Sequence, residues 1–124
     1  MIEKQQYIAE WHDDFVDLIE RLQKTVAFFM QLPQVTEEDK RGFVHVSIIL
    51  AGKDVCDVEQ NLAEGNVNDS TIDKIGKIYK DLNDVALDHM SLDSKMRELW
   101  KQIFHLVIDY DKQMSKKRLH AFDE

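Results

Sequence analysis

The chain has almost nothing with which to interrupt a helix: one proline and four glycines in 124 residues. That scarcity excludes a fold of many short strands and tight turns and favours long helices. Cysteine is nearly absent as well, and a single thiol, Cys56, excludes an internal disulfide framework. Long apolar runs are missing. The most apolar stretch, Phe43 to Ala51, is broken by His45 and Ser47 and falls well short of the roughly 20 residues needed to cross a bilayer. The start shows no basic segment followed by an apolar one, so no secretory signal is expected and the chain reads as cytoplasmic. Positive charge is in deficit too: 16 Lys plus Arg against 24 Asp plus Glu leave a net charge of −8. A general nucleic-acid binder needs a basic face, so that class is set aside. What remains is 44% hydrophobic and 32% charged residues, enough to build one core in one domain.

Apolar periodicity divides the chain into four expected helices, at about 3–32, 37–64, 70–90 and 92–115, with a frayed tail from Ser115. The first carries Ile8, Trp11, Phe15, Leu18, Leu22, Thr25 and Phe29 at alternating spacings of three and four, and Pro33 stops it. Thr36 before Glu37, Glu38 and Asp39 reads as a helix start: a hydroxyl to cap a free N–H, then acids on the positive end of the dipole. The seam of the second helix reads Val44, Ile48, Ala51, Val55, Val58, Leu62 and closes at Gly65, with Gly42 near its opening break. The β-branched stretch 43–50 resembles a strand, but the helical seam runs through it and no second strand exists to pair with it.

After the polar turn at Asn66 to Asp69, Ser70 with Asp73 suggests a capping box. A third seam follows on Ile75, Tyr79, Leu82, Ala86 and His89 or Met90. A turn at Ser91 leads to the fourth, on Leu92, Met96, Leu99, Ile103, Leu106, Tyr110 and Met114. Short connections turn each helix back along its predecessor, so the expected fold is all-α, an up-down-up-down antiparallel four-helix bundle.

Two regions carry more apolar side chains than one seam can bury. Helix one ends on Val26, Ala27, Phe28, Phe29 and Met30, and helix two opens with Phe43, Val46, Ile49 and Leu50 beside its seam; helix four adds Trp100, Phe104, Val107 and Ile108. A surplus of this kind marks a partner surface, and Phe28, Met30, Phe43, Val46, Leu50, Trp100 and Phe104 are its expected contact residues. Aligning the helices by level also gathers Asp13, Asp14, Asp17, Asp54, Asp57, Asp81 and Asp84 in one acidic slice, with Asp17 and Arg21, Asp73 and Lys77, and Lys80 and Asp84 placed as pairs four apart. The slice reads first as a solvated face and second as a decoy for a basic protein.

Motifs for chemistry are scarce. There is no Gly-rich phosphate loop, no zinc spacing of cysteines and no nucleophile-elbow serine. His12, Cys56, Glu59 and His105 fall near one level, as a site in a bundle core would require, but the paired Glu and Glu-x-x-His pattern of di-iron bundles is missing. Neither a cofactor nor a resident metal is therefore expected. The basic cluster Lys116, Lys117 and Arg118 suits a helix C-terminus. The expected function is non-enzymatic: a small regulator, chaperone or inhibitor that binds another protein, or itself as a homodimer, through apolar helix faces. The rival is a bundle that binds a metal or small ligand, with hydrolytic activity a possible extension.

Overall fold

The computed structural model describes the backbone of residues 2–90 and 96–121, and the side chains of 10–90 and 96–116. It is helical throughout: α1 (Ile2–Met30), α2 (Glu37–Leu50), α3 (Lys53–Ala63), α4 (Asp69–His89) and α5 (Arg97–Ala121). No strand occurs among the described residues, and none of the described helices is long and apolar enough to cross a membrane. The region read as strand-like lies inside α2.

The ends follow local chemistry. The Thr36 hydroxyl accepts from the Asp39 amide at 3.1 Å and starts α2, as its sequence position implies. Gly65, at φ 78°, ends α3 with two bonds characteristic of a left-handed terminus: its own amide to Leu62 O at 3.1 Å and the Asn66 amide to Asn61 O at 2.7 Å. The start of α4 differs from expectation, because Asn68 rather than Ser70 is the cap. Its side-chain oxygen accepts from the Thr71 amide at 2.9 Å, and the Thr71 hydroxyl donates to Asn66 O at 2.9 Å. An Asn two residues upstream reaches the free amides first, so the helix begins at Asp69 rather than 70. The proposed turn at Ser91 and the helix start at Leu92 lie outside the described residues. At the far end α5 does not fray at Ser115 but continues to Ala121, since no Pro or Gly follows to stop it and Lys, Gln, Met and Arg are good helix formers.

The largest departure is in the second seam. The expected helix over 37–64 is two helices, broken at Ala51 and Gly52, with Gly52 in an extended conformation. At about 100° per residue, a continuous helix would set Val55, Val58 and Leu62 roughly 120° away from Phe43, Val46 and Leu50, so only one set could face inward. The break turns both sets into the core, where all six are buried. Val44, Ile48 and Ala51, assigned to the seam, are exposed instead. Gly52 supplies the joint, because glycine costs about 1 kcal/mol in a helix interior and little at a helix start.

The core draws on every helix. Trp11, Phe15, Leu18, Leu22, Val26 and Phe29 line α1; Ile75, Ile78, Tyr79, Leu82, Val85 and Ala86 line α4; Trp100, Ile103, Val107, Tyr110 and Met114 line α5. The centre of α5 is thus Trp100 and Val107, with Leu99 and Leu106 half-buried beside them. Helix α1 packs on α2, α3 and α5, and α4 packs on α2, α3 and α5. Gly42 lies within α2 rather than at its break. It is buried there, and a Cβ would come within 2.5 Å of His89 Nε2 and 2.8 Å of the Trp100 ring. Its role is close approach of two aromatic rings to backbone.

Candidate interaction surface

The apolar surplus is mostly enclosed by the chain itself. Phe43, Val46, Leu50 and Trp100 are buried, which corrects the expectation that they stand outside the core. The reason is the helical reset at Gly52 together with a rotated centre for α5. Met30 and Phe104 are half-buried and pack against the core cluster. Of the seven expected contact residues only Phe28 is largely exposed, at 61%, its ring tilted against Phe29 at a centroid distance of 6.1 Å.

Apolar exposure moves to residues the sequence reading had placed in a seam. On α2, Val44 is 43% and Ile48 64% exposed. They stand four residues apart, with Ala51 three further on and Arg41 three before, so one stripe of α2 turns away from Phe43, Val46 and Leu50. Leu87 on α4 is the other large exposed apolar residue among those described. Val44 and Ile48 were legible as a helical stripe; which way the stripe faced was not, because it competed with an equally regular and bulkier one.

At one end of the protein, α2, α4 and α5 meet in a compact polar and aromatic cluster. Trp100 lies between two rings, Phe43 at 4.4 Å and 18° and His89 at 4.5 Å and 17°, and Phe29 continues the row against Phe43 at 5.9 Å. The Trp100 indole N–H donates to Asp39 Oδ1 at 2.9 Å, and the Thr36 hydroxyl donates to Asp39 Oδ2 at 2.7 Å. His89 Nδ1 sits 3.8 Å from Asp39 Oδ1, too far for a hydrogen bond. Asp39 is buried and spends its acceptor capacity on a cap and an indole. The cluster therefore fixes the ends of α2, α4 and α5 to one another. No sequence signal pointed to it beyond Asp39 following Thr36.

The acidic residues are distributed rather than focused. Asp17 pairs with Arg21 at 2.9 Å and accepts from the Tyr110 hydroxyl. Asp54 and Asp57 pair across to Lys77 and Lys74, both at 3.5 Å, and Asp84 pairs with Lys80 at 3.0 Å. Asp13 lies 3.6 Å from His12, Asp14 bears on Tyr79, and Asp81 is half-buried. Burial, followed by the bond to Asp17, pushes the Tyr110 hydroxyl up to about 12. Cations interleaved with carboxylates weaken the field that a decoy for a basic protein would need.

The level of His12, Cys56, Glu59 and His105 does not assemble. Cys56 and His105 are exposed, and no group of three or more His, Cys, Asp or Glu placed to hold a metal occurs among the described residues. Comparison with known proteins adds no identity: no family model, no curated protein and no solved structure matches this chain.

Proposed function

We propose that the chain is a non-enzymatic helical interaction module that engages another protein chain, in the first instance a second copy of itself, through the outer stripe of α2. The observation that carries this reading is the exposure of Ile48 and Val44 one turn apart on a helix whose opposite face is fully committed to the core. Isolated apolar residues on a surface are ordinary. A β-branched pair aligned on one helical stripe, with Ala51 and the cationic Arg41 continuing it, offers a helix-to-helix contact.

As architecture we favour an up-down-up-down bundle in which α2 and α3 together form the second rod. The ring of contacts from α1 to α2 and α3, then α4, then α5 and back to α1 supports it. So do the pairs Asp57 with Lys74 and Asp54 with Lys77, in which one helix descends as the other rises. We place such a module in the cytoplasm, in keeping with its one free thiol.

Sizing by light scattering over a range of concentrations tests the function, combined with a pull-down from the native host using the wild type and an Ile48→Asp variant. Self-association or partner capture that disappears in the variant supports the proposal. A protein that stays monomeric and captures the same chains with and without Ile48 refutes it.

A further inference from the structure

Helices α2 and α3 both turn one face onto α1 and α4, so their outer faces follow one another along the same side of the protein. At about 100° per residue, Glu37, Arg41, Val44 and Ile48 lie roughly 120° to 180° from the middle of the Phe43, Val46 and Leu50 face. By the same count Lys53 lies about 170° from the middle of the Val55, Val58 and Leu62 face. All five outer residues are exposed. In chain order this line carries an acid, a cation, two apolar side chains and a second cation.

Its two ends match each other across its apolar middle. Val44 and Ile48 flank position 46, with Glu37 nine positions before it and Lys53 seven after. At 1.5 Å per residue these charges stand about 13 and about 10 Å from one centre. Lys53 makes no ion pair with any described residue, whereas Lys40, Lys74, Lys77, Lys80 and Lys101 each make one. It also opens α3, at the positive end of the helix dipole, where a cation is disfavoured. The fold itself thus gains nothing from a cation at this position. Glu37 has Lys40 at 3.5 Å and keeps 81% of its side chain exposed, which leaves it open to a second cation.

We propose that the outer stripe of α2 is covered by a second copy of this chain docked antiparallel, about a two-fold axis at the level of residue 46. This deepens the function proposed above and rests on it. Val44 of each copy meets Ile48 of the other, and Glu37 of each copy meets Lys53 of the other. A parallel pairing would set Glu37 on Glu37 and Lys53 on Lys53, which like charges oppose. The line is its own complement only when reversed, and that favours a second copy over an unrelated chain. One rod laid against another buries less than a standard interface, so self-association is expected at about 100 µM rather than at nanomolar concentration.

The test is light scattering of the full-length chain at low salt, up to about 1 mM. Lys53→Glu and Glu37→Lys should each weaken self-association about tenfold, because two symmetry-related pairs are lost at once. The Glu37→Lys, Lys53→Glu double variant should return to within about twofold of the wild type. In a Cys56→Ser background, a mixture of Val44→Cys and Ile48→Cys proteins should form the mixed disulfide in preference to either symmetric one. Circular dichroism should show the same helicity in every variant. Single reversals without effect, a double variant weaker than either single one, or symmetric disulfides formed as readily as the mixed one overturn the antiparallel register. Those results leave association through Ile48, and with it the proposed function, standing. A wild type that stays monomeric up to about 1 mM overturns the self-docking outright, and the proposed function would then rest on partner capture lost in Ile48→Asp.

Discussion

The indole N–H of Trp100 reaches 2.9 Å to the carboxylate of Asp39 across 61 positions of sequence, joining the first turn of α2 to the first turn of α5. The same carboxylate holds the Thr36 cap, so a single side chain secures both a helix start and a tertiary contact. Replacing Asp39 by Ala leaves a buried indole donor and a cap hydroxyl without their acceptor. We expect a loss of about 2 to 4 kcal/mol in urea unfolding. Asp39→Asn, which keeps an acceptor oxygen, should recover part of it. An Ala variant as stable as the wild type would show that the contact is incidental.

Two helical glycines should respond in opposite directions to the same added methyl group. Gly42→Ala places a Cβ against His89 and Trp100 and should destabilise by about 1 to 3 kcal/mol, because the Phe43, Trp100 and His89 stack has little room to shift. Gly76→Ala meets open space and should stabilise by about 0.5 to 1 kcal/mol through helix propensity. Thermal melts of the two variants side by side check both signs.

Ile48→Asp and Val44→Asp sit on solvent-facing positions and should shift stability by no more than about 0.5 kcal/mol. Any effect on association should therefore be read without interference from folding. A large drop in melting temperature would mean that the outer stripe of α2 contributes to the fold itself.

Stability should decline at alkaline pH. Burial raises both Tyr79 and Tyr110, the latter to about 12, so the native protein keeps protons that the unfolded chain releases near pH 10. The unfolded state then binds fewer protons than the native state above that point, and stability falls as pH rises. Their contribution is intact below about pH 10 and is lost progressively above it, for Tyr110 between about 10 and 12 and for Tyr79 over a wider range. Urea midpoints measured from pH 8 to 11.5 should fall along this course and fall less in Tyr110→Phe. Tyr79→Phe removes a buried hydroxyl without a partner and should leave neutral-pH stability unchanged or slightly raised.

How much of this was legible beforehand depends on whether the determinant was local. Pro33, Thr36 and Gly65 announce their boundaries because a missing amide, a capping hydroxyl and a left-handed turn act within a few residues. The break at Gly52 was hidden, since Val44, Ile48, Ala51, Val55, Val58 and Leu62 keep helical spacing straight through it. Periodicity alone cannot tell which of two regular stripes is buried. The bulk of Phe43, Val46 and Leu50 decides that, through the greater apolar area they remove from water. The burial of Asp39 could not be read either, because its partner Trp100 and the neighbouring His89 ring lie on other helices.

The joint at Ala51 and Gly52 has an evolutionary corollary. In an uninterrupted rod, adding or deleting one residue would swing everything downstream by about 100° and scramble the core. Here the rotation is reset at the joint, so the buried faces of α2 and α3 are each set by their own helix rather than by one continuous period.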